Sequence, residues 1–213
     1  MTTLITGTNR GIGRALFDLY AAQGGAVIGT ARAPAPGQLA LDVTDPESVA
    51  HLAQAVTQPL DLLICNAGVL LDRGQGLDTG YPPEMWAQSF ATNVTGTFLT
   101  IQALLPRLRQ ARGKIAIISS QMASDARAPG GTYIYRASKA AVLNLGRNLA
   151  TDLRGDGIAV GIYHPGWVQT DMGGAGAAIS PETSAQGLAA RFAALSLETT
   201  GCFENYDGTP MPF

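Results

Sequence analysis

The segment Thr6-Gly7-Thr8-Asn9-Arg10-Gly11-Ile12-Gly13 follows a short β-branched apolar run, Thr2 to Thr6. It leads into Arg14 to Gln23, where Ala15, Leu16, Leu19, Tyr20 and Ala22 recur at near-helical spacing. Glycines at such a junction let the backbone turn tightly and let a pyrophosphate approach closely. The helix that follows presents unpaired N–H groups and the positive end of its dipole to that anion. The spacing is Gly-x3-Gly-x-Gly, not the Gly-x-Gly-x-x-Gly of the general dinucleotide fingerprint. A glycine triplet alone is weak evidence, and a merely tight turn is the competing reading. The context, with a strand before it and a helix after it, favours a nucleotide site. Gly7, Asn9, Arg10, Gly11, Ile12 and Gly13 are therefore expected to meet a dinucleotide.

Outward from this turn, Gly24-Gly25 stops the helix, and Ala26 to Thr30 is an apolar run too short for another. Strand, helix and strand within about 30 residues is the size of a βαβ unit. The alternation continues with strands at Leu39 to Val43, Leu60 to Cys65, Lys114 to Ser119 and Ile158 to Tyr163, and a last short one at Cys202 to Glu204. Asp45 with Pro46 starts a helix running to about Thr57. Pro83 to Arg112 reads as a long helical region, bent or interrupted by Gly96 and Pro106. Thr132 to Arg154 is a long helix, and Ser180-Pro181-Glu182 starts another that runs to about Leu197. Six or seven near-continuous apolar strands between helices imply a parallel sheet covered on both faces. The expected fold is α/β, one doubly wound Rossmann domain over residues 1–213. Gly173 to Ala178 suits a mobile flap.

Composition agrees. The chain has 213 residues, 46% apolar and 14% charged, enough for a sizeable core. A formal net charge of −2 argues against a nucleic-acid partner, which needs a basic footprint. The longest apolar stretch, Leu60 to Leu71, is broken by Asp61 and Asn66 and falls short of the roughly 18–20 residues of a membrane span. No secretory signal opens the chain. Cys65, Cys202, His51 and His164 show neither a disulfide framework nor metal-ligand spacing, so no metal is expected. A cytoplasmic protein is the default expectation.

Two constellations carry chemistry. An NAD-binding fold of this kind usually places an acid at the end of the second strand to hold the ribose 2′-OH. No Asp or Glu occurs from Leu19 to Leu41, and the strand end reads Thr30-Ala31-Arg32. Arg32, with Arg10 from the glycine turn, could pair with a 2′-phosphate; both could equally be surface arginines. The missing acid favours NADP(H) over NAD(H). Further on, Tyr135-Arg136-Ala137-Ser138-Lys139 places a tyrosine and a lysine four apart, on one helix face. A nearby ammonium favours the phenolate and should lower a pKa otherwise near about 10. A general acid poised near the working pH is what carbonyl reduction needs. Alone, this pair could be a half-buried tyrosine with a solvated lysine.

Taken together, Thr6-Gly7-x3-Gly11-x-Gly13, Asn66-Ala67-Gly68, Asn93, Ser119-Ser120, Tyr135-x3-Lys139 and Pro165-Gly166 resemble the short-chain dehydrogenase/reductase family in order and approximate spacing, along essentially the whole chain. The wording of Tyr135 to Ala141 and of His164 to Gly174 is similar to its sniffer-type carbonyl reductases and C-factor-like proteins. The resemblance implies an NADPH-dependent enzyme reducing a small-molecule aldehyde or ketone, reversibly. It makes Tyr135 the proton donor and Lys139 its modulator and a ligand of the nicotinamide ribose. Ser120 would hold the carbonyl oxygen, and Asn93 would support a water linking Lys139 to solvent. Asn93 could instead be a helix-kink residue bonding local backbone. Pro165, Gly166, Val168 and Thr170 would pack on the nicotinamide, and Asp42-Val43 would contact adenine, unless Asp42 is a capping or turn aspartate. Asn66, Ala67 and Gly68 would face the cofactor, Asn66 structurally rather than catalytically.

Departures from the family pattern matter too. Ser120 stands further from Tyr135 than in many relatives, so residues must loop out within Gln121 to Ile134, and Ser119 or Ser124 could supply the hydroxyl instead. Few residues lie between Met172 and Ser180, leaving an open pocket with Trp167, Tyr133 and Met172 as candidate walls. The family habit also implies a homodimer or homotetramer. A protein that uses the fold only to sense a dinucleotide or to signal is the main competing class. A sugar-nucleotide epimerase ranks low, because too little chain follows the nicotinamide loop for a substrate domain.

Overall fold

A computed structural model describes residues 1–213. Strands and helices alternate as β1 (Thr2–Thr6), α1 (Gly11–Ala22), β2 (Ala26–Ala31), β3 (Leu39–Ala40), α2 (Pro46–Ala55) and β4 (Leu62–Cys65). There follow α3 (Pro83–Phe90), α4 (Gly96–Ala111), β5 (Lys114–Ile118), α5 (Tyr133–Asp152), β6 (Ala159–His164), α6 (Pro181–Ala194) and β7 (Phe203–Asn205). All seven strands are parallel, in the order β3-β2-β1-β4-β5-β6-β7.

The near-continuous apolar strands are explained by what covers them. On one face Leu16 and Tyr20 of α1 and Leu188 and Phe192 of α6 pack on Ile5, Ile64, Ile118 and Tyr163. On the other, Val49 and Leu52 of α2, Ile101 and Leu104 of α4 and Val142 of α5 pack on Leu4, Leu63, Ile117 and Val160. Successive strand residues thus feed opposite cores, as the two-residue period of a strand requires. Cys65 is buried within the second of these cores, as a small apolar side chain.

Several elements differ in extent from the sequence reading. The first helix begins at Gly11, a turn earlier than Arg14. The third strand stops at Ala40 because Asp42 is drawn into a turn: its N–H donates to Ser48 Oγ and its Oδ1 accepts from Thr44. The long helical region is interrupted, but by a π-helical turn at Ala91–Thr95 rather than by a bend at Pro106, which sits within α4. Gly96 serves packing instead: a Cβ there would lie 2.7 Å from the Val43 carbonyl oxygen. Asp45 caps α2 as expected, accepting from the Glu47 N–H with Pro46 in the first turn.

The topology fixes where a ligand can enter. From β1 the chain winds outward to β2 and β3, then crosses to β4 on the other side of β1. The crevice at this reversal, beyond the carboxyl ends of the strands, is where open α/β sheets bind ligands. The glycine turn after β1 and Asn66-Ala67-Gly68 after β4 flank it directly, with Ser119-Ser120 and Pro165-Gly166 at the neighbouring strand ends.

Candidate active site

The glycine turn has the backbone its residues predict. Gly7 and Gly11 lie in the left-handed region at φ +74° and +57°. A Cβ on Gly13 would meet the Gly7 carbonyl oxygen at 2.1 Å. Asn66 clamps the turn: its Nδ2 donates to the carbonyls of Thr6 (2.9 Å) and Gly7 (3.2 Å). The N–H groups of Asn66 and Ala67 donate to Thr6 Oγ1 at 3.0 Å each. No side chain caps the N-terminus of α1. Side-chain-free backbone beside uncapped helix donors is a cradle that fits a pyrophosphate. Asn9 is exposed and Ile12 half-buried beside it.

Arg32 is exposed beyond the end of β2 and joins no ion pair. Hydrogen bonds from Thr44 hold the Asp42 carboxyl below its usual range, and the Arg32 charge adds to this. Asp42 thus has turn contacts of its own, and Val43 is buried beneath Gly96. Arg10 does not turn toward Arg32 here. It pairs with Asp171 at 2.6 Å, both side chains more than two-thirds exposed.

The catalytic quartet expected from the sequence converges at the crevice. Tyr135 and Lys139 face the same way on α5 and are 8% and 5% exposed. The Lys139 ammonium lies 5.7 Å from the Tyr135 ring centre and donates to the Ile118 carbonyl at 2.9 Å. A Cβ on Gly68 would fall 3.4 Å from Lys139 Nζ and 3.2 Å from Asn93 Oδ1, so the turn after β4 abuts both. Asn93 sits in the π turn, where Oδ1 accepts from the Val69 N–H and Nδ2 donates to the Val69 carbonyl and Ser138 Oγ.

Of the three serines, Ser120 is the one whose hydroxyl acts on the phenol, and its Oγ also accepts from the Met122 N–H at 3.1 Å. Ser119 Oγ donates to the Lys139 carbonyl (3.0 Å), and Ser124 Oγ to that of Phe213 (3.4 Å). Burial pushes the Tyr135 phenol up to about 12; a hydrogen bond with Ser120 opposes the rise and the charge of Asp72 adds to it. The expected lowering of this pKa by Lys139 is therefore not seen. Loss of phenolate hydration outweighs the ammonium, whose hydrogen bond goes to a backbone carbonyl. Burial likewise brings Lys139 down to about 8.

Sequence reading missed Asp72. It is 1% exposed, and its Oδ2 accepts the N–H groups of Ile134 (2.8 Å) and Tyr135 (3.2 Å). It therefore caps the first turn of α5 from a loop more than 60 residues away. No local signal reveals this, because Thr132, the residue at the cap position, makes no capping bond.

The loop after β6 closes the other wall. Gly166 has φ +86°, and a Cβ there would lie 2.6 Å from Ile179 Cδ1. Pro165 accepts Ser184 Oγ at 2.6 Å, and Val168 is buried and bridges to Ile179. Thr170 Cγ2 lies 3.2 Å from where a Gly11 Cβ would stand, so this loop meets the glycine turn. The expected flap, Gly173 to Ala178, is fastened: Trp167 Nε1 donates to the Gly173 carbonyl (2.9 Å), Gln169 Nε2 to the Ala177 carbonyl (3.0 Å) and the Ala178 N–H to the Trp167 carbonyl (3.0 Å), while Arg10 and Arg73 hold Asp171 and the Met172 carbonyl just before it. Trp167, Tyr133 and Met172 are 55%, 40% and 38% exposed, which suits pocket walls.

A separate cavity of about 630 Å³ opens at the opposite, amino ends of the central strands, beside Tyr20, Lys114 and Phe192. It contains none of these residues, and its lysine is committed to the Phe192 and Ala193 carbonyls. No helix is long and apolar enough to cross a membrane.

Comparison with known proteins identifies the family. The model of the short chain dehydrogenase family matches residues 1–178. C-signal of Myxococcus xanthus is 39% identical over 171 residues, 77% of this chain and 99% of that protein. The NADPH-bound carbonyl reductase from chicken fatty liver superposes with a TM-score of 0.91 at 30% identity, covering 100% of this chain and 98% of that one. The carbonyl reductase Sniffer of D. melanogaster gives 0.92 at 27% identity, covering 100% and 99%. With the family model matched over most of its length and the whole fold shared with these structures, the chain belongs to the short-chain dehydrogenase/reductase family, oxidoreductases that work with a nicotinamide dinucleotide.

Proposed function

We propose that this protein is an NADPH-dependent carbonyl reductase, reversible as an alcohol dehydrogenase, with Tyr135 as its general acid and base. The observation that carries this reading is the convergence of Tyr135, Ser120 and Lys139 at the crevice shared with the glycine cradle. When bound, the reduced nicotinamide supplies hydride. Gly7, Gly11 and Gly13 with the N-terminus of α1 hold the pyrophosphate, Arg32 the 2′-phosphate, and Pro165, Gly166, Val168 and Thr170 line the nicotinamide end. Arg10 joins Arg32 only by exchanging its partner Asp171 for the phosphate.

Ser120 donates to the carbonyl oxygen and polarises it. As the carbonyl carbon becomes tetrahedral, the Tyr135 Oη proton passes to that oxygen. Burial keeps the phenol protonated at neutral pH but makes it a weaker acid, so release of its proton depends on the Lys139 ammonium and the Ser120 hydroxyl to stabilise the phenolate. Lys139 is still a cation there and compensates the phenolate left behind. Asn93 ties the Val69 backbone to Ser138 and so positions Lys139 on α5.

Tyr135→Phe tests the assignment. NADPH binding, followed by fluorescence titration, stays within about twofold, while turnover of a carbonyl panel falls at least a hundredfold, the usual scale for positioned acid–base groups. Near-normal kcat in that variant refutes it. The similarity to C-signal favours a second reading, a dinucleotide-binding signalling protein with little catalysis. NADPH binding with no turnover of any aldehyde, ketone or quinone would promote it.

A further inference from the structure

His164 ends β6 and is only 8% exposed, yet its buried Nδ1 has no hydrogen-bond partner. Beside it on β7, Asn205 Oδ1 is also buried and unpartnered. The two residues are register partners on adjacent strands, which run about 4.8 Å apart. They share a face of the sheet. Ile162 and Phe203, two residues before each, pack together with Ala123 and with Leu143 of α5. The strand period therefore sends His164 and Asn205 to the α5 side, where Tyr135 stands. On the other flank of His164, the Ser119 N–H continues the ladder by donating to the Tyr163 carbonyl at 2.8 Å. His164 thus lies one strand, and Asn205 two strands, from the serines that follow β5.

Buried polar atoms are almost always paired, so two open neighbours on the reactive side mark a place for a polar group from outside. Its chemistry is constrained. Burial, with the charge of Arg127, holds the imidazole well down, to about 4, so the ring is neutral and offers one donor and one acceptor. Asn205 Oδ1 offers an acceptor, which an acceptor-only group leaves unpaired, and Arg127 and Asp207 act on the imidazole with opposite sign, so the donors and acceptors rather than net charge select the ligand. A hydroxyl, both donor and acceptor, satisfies such a set; a carboxylate does not.

We propose that His164 and Asn205 form a subsite for a hydroxyl borne by the carbonyl substrate, so that hydroxy ketones are preferred over plain ketones. This rests on the carbonyl-reductase reading. The test compares 3-hydroxybutan-2-one with butan-2-one as ratios of kcat/KM, in the wild type and in His164→Phe and Asn205→Leu. The hydroxyl also activates the carbonyl electronically, but that effect cancels between wild type and variant. The expected result is a ratio at least tenfold lower in each variant; a ratio within twofold of wild type overturns the subsite.

A second readout needs neither turnover nor these variants. The chain has two histidines, and His51 is exposed on α2, so His51→Gln assigns their imidazole ¹⁵N signals. With NADP⁺ present, 3-hydroxybutan-2-one shifts the His164 signal and butan-2-one does not. An unmoved His164 signal overturns the subsite. A shift without reduction of either ketone keeps the subsite and rejects the reductase reading instead.

Discussion

Arg32 is a lone exposed cation at the one strand end where a 2′-phosphate would need it. A charge-assisted hydrogen bond contributes about 1.5–3 kcal/mol, so one residue can set cofactor choice by roughly tenfold to a hundredfold. Arg32→Asp is expected to lower the NADP/NAD ratio of kcat/KM by at least tenfold; an unchanged ratio removes Arg32 from the cofactor site. Asp72 acts on a different quantity. Its charge opposes the Tyr135 phenolate, while its Oδ2 fixes the turn that carries the ring. Asp72→Asn retains an acceptor and removes the charge, so the phenol becomes easier to ionise. The basic limb of the reductive kcat/KM profile should therefore move to lower pH, and the acidic limb of alcohol oxidation should move the same way. Asp72→Ala also removes the cap and should cost about 1–2 kcal/mol in urea unfolding.

The join between β1 and α1 tests the cradle as an element. Gly13→Ala drives a methyl group to 2.1 Å from the Gly7 carbonyl oxygen and 2.4 Å from Asn66 Nδ2. Neither neighbour can yield without opening the clamp on the turn. NADPH binding should fall at least tenfold and the melting temperature should drop; intact affinity would show that the pyrophosphate lies elsewhere. This join was legible in the sequence because its physics is local: a β-branched run, three spaced glycines and a helical repeat sit within two dozen residues. The Tyr135–Lys139 spacing was legible for the same reason. The π turn around Asn93 was not, because it adds one residue to a helix without changing composition; of the two residues that pointed to a break, Gly96 borders it and Pro106 lies within α4. Asp72, the pairing of Arg10 with Asp171 and the burial of the phenol depend on chain segments far apart in sequence, so no window of residues reports them.

At the scale of the whole molecule, a parallel sheet covered on both faces buries its strand ends, and His164 goes under with them. That burial couples global stability to pH. The imidazole is lowered from 6.5 to about 4 by loss of solvent, with Arg127 adding to the effect and Asp207 opposing it. Between those values the unfolded chain takes up a proton that the folded chain refuses, so stability falls as pH drops from 6.5 toward 4. Over the whole window the loss amounts to about 3 kcal/mol, a large share of the roughly 5–15 kcal/mol that holds a domain together. The carboxyls that folding lowers, such as Asp42 and Asp207, lose their contribution only as pH falls below their ordinary value of 3.8, so the interval from 6.5 to 4.5 belongs to the histidine. Urea unfolding at pH 7.5 and pH 4.5 should show a lower midpoint at the acid value in the wild type. His164→Gln, which keeps a polar side chain but cannot titrate, should lose most of that difference. An equal pH dependence in both proteins would mean that the imidazole is already hydrated in the folded state, and the buried face of β6 would have to be redrawn.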